Sequence, residues 1–198
     1  PSIDKSSPEG AQFLSFNNSQ QALKYSRVNS TFGPVLTSRA AVSVDALLSW
    51  DTQHVDEPLM PDGKIEENGP FDGCNGLYFW ELFFHTPDLV GSRLSAEGRY
   101  HEAQRWYEFV FNPLAREIPP TQNPQPEDPL PAPAYWRCRP LQNENIEISY
   151  ERAAPSDPDK IGYTATIHFK LAIFLRHREN LIEWGDSLYR RLDYDSMV

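Results

Sequence analysis

Residues 75–113 read "NGLYFWELFFHTPDLVGSRLSAEGRYHEAQRWYEFVFNP", the most densely patterned stretch of the chain. Leu77, Trp80, Phe83 and Phe84 recur at the three–four spacing of one helix face. Thr86-Pro87 then carries a start signal, since threonine caps helix N-termini and proline at the first helical position loses no hydrogen bond. Asp88 adds a favourable charge to that turn. The reading is a helix beginning at Pro87, or one long helix kinked there, with Leu89, Val90 and Leu94 on its apolar face. Gly98 reads as the residue just past a helix C-terminus. Tyr100, Ala103, Trp106, Tyr107 and Val110 restart the pattern, and Asn112-Pro113 ends it. Two helices joined by a tight turn make an antiparallel hairpin, the unit of helical repeat arrays. Its expected core is Trp80, Phe84, Leu94, Ala103 and Trp106.

Outward from the hairpin the pattern changes. "AQFLSF" (11–16) is short, apolar and aromatic, which predicts a strand. Residues 29–53 predict two helical turns, the first capped by Asn29 or Ser30 but weakened by Gly33-Pro34. Ser43 caps the second, with Asp45 in its first turn and Ala46, Leu47 and Trp50 at helical spacing. Eight of the 18 prolines fall between Pro113 and Pro133, so that stretch is an extended surface connection rather than a helix. "YWRCRPL" (135–141) and "NIEISYE" (145–151) alternate enough to predict short strands.

The longest helical pattern follows, with Ile167, Leu171, Phe174, Leu175, Leu181 and Ile182 as its apolar residues. Lys170, Arg176, Arg178 and Glu179 fill the other face. Gly185 interrupts it, and Leu188, Tyr189 and Leu192 resume. That last face is expected to pack back on 167–182 or against a neighbouring molecule, with a repeat partner lying beyond Val198. The fold expectation is mainly α: antiparallel, repeat-like helical hairpins with a few short β-strands. Its divisions are a mixed segment at 1–73, the helical hairpin at 74–113, the Pro-rich loop at 114–134, and short strands with long C-terminal helices at 135–198.

A length of 198 residues suits one domain, or a core with a smaller satellite. A net charge of -10 and the lack of any basic cluster exclude nucleic acid as a partner. No apolar run approaches the roughly 20 residues that cross a bilayer, and no signal peptide is visible. A soluble chain without membrane contact is expected, its ends cut from something larger. Cys74 and Cys138 have no C-x-x-C spacing, and both a disulfide and two free thiols stay open.

Motifs for chemistry are weak throughout. His85, His101, His168 and His177 all fall on predicted helices, none paired for zinc, and read as surface or capping histidines. "DPDKIG" (157–162) opens like a calcium loop but places Ile161 and His168 where oxygen ligands belong, so a plain loop turn is the better reading. No nucleophile elbow or phosphate-binding glycine loop is present. Glu81, between Trp80 and Leu82, is the one carboxylate singled out by apolar neighbours. It is expected to point away from the core or to pair with Arg93 or Arg99. The N-x-[ST] triplets at Asn17 and Asn29 imply nothing alone. No catalytic residue, cofactor or metal is assigned, and the aromatic stripe is read as core.

Beyond these local patterns, residues 76–113 are similar to a signature stretch of the A component (TcA) of bacterial Tc (toxin complex) insecticidal toxins. "SRVNSTFGPVLTSRAAVSVDALLSWDTQHVDEP" resembles the segment preceding it in the family, and "YWRCRPL" matches its Tyr-Trp-x-x-Arg-Pro-Leu element. "IHFKLAIFLRHRENLIEWGDSLYRRLDYDSM" resembles the next element. The resemblance covers roughly residues 12–198 and implies a non-catalytic piece of an α-helical shell beside a neuraminidase-like domain. It further implies a secreted, pentameric, cell-binding toxin that forms a translocation channel, with TcB/TcC-like components as partners. Some members carry a large β insertion where only "LMPDGKIEENGPFDGC" stands here, so 1–73 would border a reduced neuraminidase-like region. The alternatives are a binding module for a host or toxin partner, and a carbohydrate-active enzyme with two carboxylates about 5–10 Å apart.

Overall fold

The computed structural model describes residues 2–16, 24–55, 57–63, 66, 68–73, 75–125, 128–142, 156 and 158–191. The fold is mainly α with a few short strands, and it divides into two compact units, Pro1–Phe83 and Phe84–Val198.

In the first unit, β1 (Ser2–Ser6), β2 (Gln12–Ser15) and β3 (Tyr25–Arg27) form an antiparallel sheet in chain order. The strand expected at 11–16 is β2. Phe13 and Ser15 are buried and Gln12 is exposed, as a period of two requires. Helix α1 (Gly33–Val42) opens on Gly33-Pro34, which starts it rather than weakening it, because the first turn has no use for proline's missing donor. Neither Asn29 nor Ser30 caps it; Ser30 Oγ accepts the Phe32 N–H at 3.2 Å instead. Ser43 does cap α2 (Val44–Leu47), accepting from the Ala46 N–H at 3.0 Å.

Two 3-10 turns, Trp50–His54 and Gly69–Asp72, lead to α3 (Gly76–Trp80). The aromatic stripe forms core here. Phe71 meets Phe79, Trp80 and Phe83 at ring-centroid distances of 5.7, 5.9 and 5.8 Å, and Phe32 meets Phe79 edge-on at 5.2 Å. Gly76 permits this approach: a Cβ there would stand 2.1 Å from the Phe71 carbonyl oxygen. Leu77, expected on the same face, is 61% exposed.

Beyond α3, Glu81–His85 is a turn of π-helix, so residues counted across it at 3.6 per turn fall out of phase with α3. The wider winding also explains Pro87. An α-helix would drive the proline ring into the carbonyl four residues back. Here the π turn precedes α4 (Thr86–Ala96), and the chain stays helical through Thr86-Pro87, as one long helix rather than a new start, with no side chain capping it.

In the second unit, α4 ends at Gly98 as expected. Gly98 has φ +75°, its N–H bonds the Ser95 carbonyl at 2.9 Å, and the Arg99 N–H bonds the Leu94 carbonyl at 2.9 Å. That pair of bonds closes the helix end. Helix α5 (Tyr100–Glu108) returns antiparallel against α4. Leu94, Ala103, Tyr107 and Val110 are buried. Trp106, expected in the core, is half-buried beside Phe109, and Leu89 is 70% exposed.

The proline-rich stretch is extended and exposed, pinned at its base by single antiparallel bridges, Ile118 to Ala132 and Phe111 to Trp136. No strand forms over 135–141. After the Trp136 bridge the chain turns into a 3-10 helix, Arg139–Gln142, in which Pro140 has no donor for a ladder. The strand expected at 145–151 lies outside the described residues. Within "DPDKIG", Pro158 begins helix α6 (Pro158–Thr164), so the expected loop turn is a helix. Its Gly162 lies against Phe169, where a Cβ would approach Cζ to 2.5 Å.

Helix α7 (Ile167–Arg191) runs through Gly185 without a break. An interior glycine costs about 1 kcal/mol relative to alanine, too little to stop a long helix. Residues 186–191 therefore continue away from 167–182 instead of folding back on them. The face expected inward also faces out. Ile167, Leu171, Phe174, Leu175, Leu181 and Ile182 are exposed, whereas Ile173, His177 and Asn180 are buried.

Candidate functional site

The densest chemical grouping lies where α7 crosses the α4/α5 hairpin. Asp88, in the first turn of α4, forms an ion pair with Arg176 of α7. The same guanidinium nitrogen donates to Ser92 Oγ at 3.0 Å, and the Tyr107 hydroxyl donates to that oxygen at 3.4 Å. Burial pushes the Asp88 carboxyl upward, with Arg176 pulling against it. Burial likewise raises Tyr107 and lowers His177, whose ring packs edge-on against Phe111 at 5.7 Å. This grouping is built as a link between helices. Ser92 Oγ accepts from two donors, and neither is a base that could activate it as a nucleophile.

A second grouping lies inside the first unit. Arg27, 4% exposed, sits between Glu57 and Glu66 at 3.4 and 3.3 Å, and its Nη2 donates to the Pro58 carbonyl at 2.6 Å. Its guanidinium stands 5.1 Å over the Phe13 ring. Burial raises the Glu66 carboxyl, partly offset by Arg27. Glu57 Oε1 also accepts the Thr31 N–H at 2.8 Å. Arg27, Glu57 and Glu66 hold these chain segments together, with Arg27 Nη1 buried and unpartnered. An open groove of about 590 Å³ runs beside Tyr100, Glu183, Asp186, Arg190 and Arg191, with charges of both signs on its rim.

The residues weighed from sequence fall apart in space or into packing roles. Glu81 is exposed on the π turn, and Arg93 and Arg99 pair with Glu97 and Glu102. His85 stands among Phe84, Tyr163 and Phe169, and His101 is exposed beside Trp184. His168 is exposed. His177 is not a surface histidine: it is buried. Asn29 uses its side chain as a brace, accepting from the Gln12 N–H at 2.7 Å and donating to the Gly10 carbonyl at 3.0 Å. Asn17 and Cys74 lie outside the described residues. Cys138 is a free, wholly buried thiol that burial holds well above its ordinary pKa.

Among the described residues no three His, Cys, Asp or Glu side chains gather as metal ligands, and no helix is long and apolar enough to cross a membrane. Arg27 and Arg176 were missed as organising residues because their partners lie 39 and 88 positions away, beyond any local pattern.

Comparison with known proteins places this arrangement. No protein-family model matches the sequence. The chain is 40% identical over 171 residues to "Toxin subunit YenA2" of Yersinia entomophaga, a match covering 85% of this chain and 12% of that protein. It is similar to the cryo-EM structure of Yersinia pseudotuberculosis TcaA-TcaB, with TM-score 0.63 and 29% identity over 92% of this chain and 9% of that one. The fold also matches Morganella morganii TcdA4, with TM-score 0.67 at 20% identity, covering 97% of this chain and 12% of that one. The chain thus spans about an eighth of the length of the curated relative it matches.

Proposed function

Because the chain belongs with the A-like components of the Tc toxins, we propose that it is a non-catalytic structural region of such a component, part of its helical shell. The observation that carries this reading is where the aromatic stripe goes. Phe71, Phe79, Trp80 and Phe83 fill one another's space, leaving no aromatic cleft around Glu81, whose side chain is in solvent. The Asp88–Arg176 and Arg27–Glu57–Glu66 groups support the same reading, since both join segments distant in sequence.

The remainder of the reading concerns the intact protein. It includes a pentameric, cell-binding, secreted toxin that acts with TcB/TcC-like components. It also includes residues 1–73 as the border of a reduced neuraminidase-like region. A panel of fluorogenic glycosides, sialosides included, tests the non-catalytic role. No turnover is expected. Turnover that disappears in Glu81→Gln would replace this reading with the enzyme.

A further inference from the structure

We propose that α7 is a detachable arm, pivoting on Phe169 and leaving the α4/α5 hairpin as a unit while the hairpin stays folded. The anchoring of the helix is uneven along its length. At the N-terminal end Phe169 is set among Phe84 at 4.8 Å, Tyr163 at 5.5 Å and His85 at 5.8 Å, with Gly162 making room for the ring. This is dense aromatic packing.

Beyond Phe169 the contact surface mixes apolar and polar groups. The three buried residues of the helix are Ile173, His177 and Asn180, and two of them carry buried atoms without a hydrogen-bond partner, His177 Nε2 and Asn180 Oδ1. Asp88 Oδ1, on the hairpin side, is likewise buried and unpartnered. No protein group bonds these atoms with the helix docked, and undocking opens them to water. Two polar ties oppose release: Asn180 Nδ2 donates to the Tyr100 carbonyl at 3.1 Å, and Arg176 holds Asp88 and Ser92.

Apolar cover along this stretch is partial: Ile173 is buried and Phe174 meets Phe111 at 5.7 Å, while Leu171, Leu175, Leu181 and Ile182 keep 42–54% of their surface in solvent with the helix docked. The hairpin has its own seam in Leu94, Ala103, Tyr107 and Gly91 and does not need α7 to close it. Regions of a fold open separately when their docking contacts are weaker than the contacts within their neighbours.

Hydrogen exchange read by mass spectrometry on the whole 198-residue chain tests this. Amides of 173–184 are expected to be less protected than those of 88–95 and 101–108 by about tenfold or more, through an opening that leaves the hairpin closed. His177→Phe replaces an unpartnered polar atom by apolar surface and is expected to raise α7 protection about tenfold, leaving the hairpin unchanged; Asn180→Leu does the same at Oδ1 but also removes the tie to the Tyr100 carbonyl, so no such rise is expected of it. Arg176→Ala is expected to lower it. Equal protection of α7 and hairpin in the unaltered chain overturns the proposal. So does Arg176→Ala with unchanged α7 protection, which decides the matter even where the apolar replacements fail to fold.

Discussion

Gly91 on α4 and Tyr107 on α5 occupy one site at the helix crossing: a Cβ on Gly91 would stand 2.7 Å from Tyr107 Cε1. The missing side chain is the socket for the ring, and the ring is 2% exposed. This pair sets how closely the two helices approach, and it passes the Tyr107 hydroxyl on to Ser92.

Gly91→Ala is therefore expected to lower stability by about 1–3 kcal/mol, the usual cost of overfilling a packed interior. Gly185→Ala is the matched control. Nothing lies within 4 Å of its position, so there the gain in helix propensity, about 1 kcal/mol, should appear alone. Urea titration of both variants should give opposite signs. A neutral Gly91→Ala would mean that the crossing relaxes freely.

Tyr107→Ala should be far more damaging than Trp106→Ala, although tryptophan is the larger residue. Tyr107 is buried in the socket, and deleting a large core aromatic costs about 3–5 kcal/mol. Trp106 is half-buried beside Phe109, and its loss should cost roughly half as much or less. Denaturant midpoints of the two variants decide this. Equal losses would place Trp106 in the core after all.

His177 predicts a pH dependence. Burial depresses its folded pKa, so the unfolded chain binds the proton more readily. Its stabilising contribution is present above the unfolded value of about 6.5 and is lost as pH falls through and below it. The raised carboxyls of Asp88 and Glu66 act in the opposite direction at lower pH. The comparison must therefore be the chain against His177→Gln, titrated with urea from pH 7.5 to 5.5. The unaltered chain should lose more stability over that window than the variant, and parallel curves would show that His177 is not buried as the neutral ring.

Cys138 should resist an aromatic disulfide reagent in the native chain and react on unfolding, because its thiol is wholly buried and held protonated. Cys74→Ser isolates the signal. Prompt labelling of that variant under native conditions would show an open path to Cys138.

The α4/α5 hairpin, the long C-terminal helix, the strand at 12–15, the turn at Gly98, the Ser43 cap and the extended proline-rich stretch were legible in the sequence; β1, β3 and the helix at Pro158–Thr164 were not. Each of the former depends on neighbours within a few positions, where backbone sterics and capping hydrogen bonds act. The family resemblance was legible for a similar reason, since it rests on unbroken blocks of residues.

Tertiary structure alone decided which faces turn inward. Leu77 and Trp106 had the right spacing but are exposed and half-buried, whereas Phe79 meets Phe71 and Tyr107 fills the Gly91 socket. In α7 the apolar residues marked a helix correctly but not its buried side. Asn180, Arg176 and His177 face the hairpin because Tyr100, Asp88 and the aromatic rings of Tyr107 and Phe111 are there to meet them. Periodicity depends on the chain's own geometry; the choice of face depends on what distant segments present, and no local pattern carries that information.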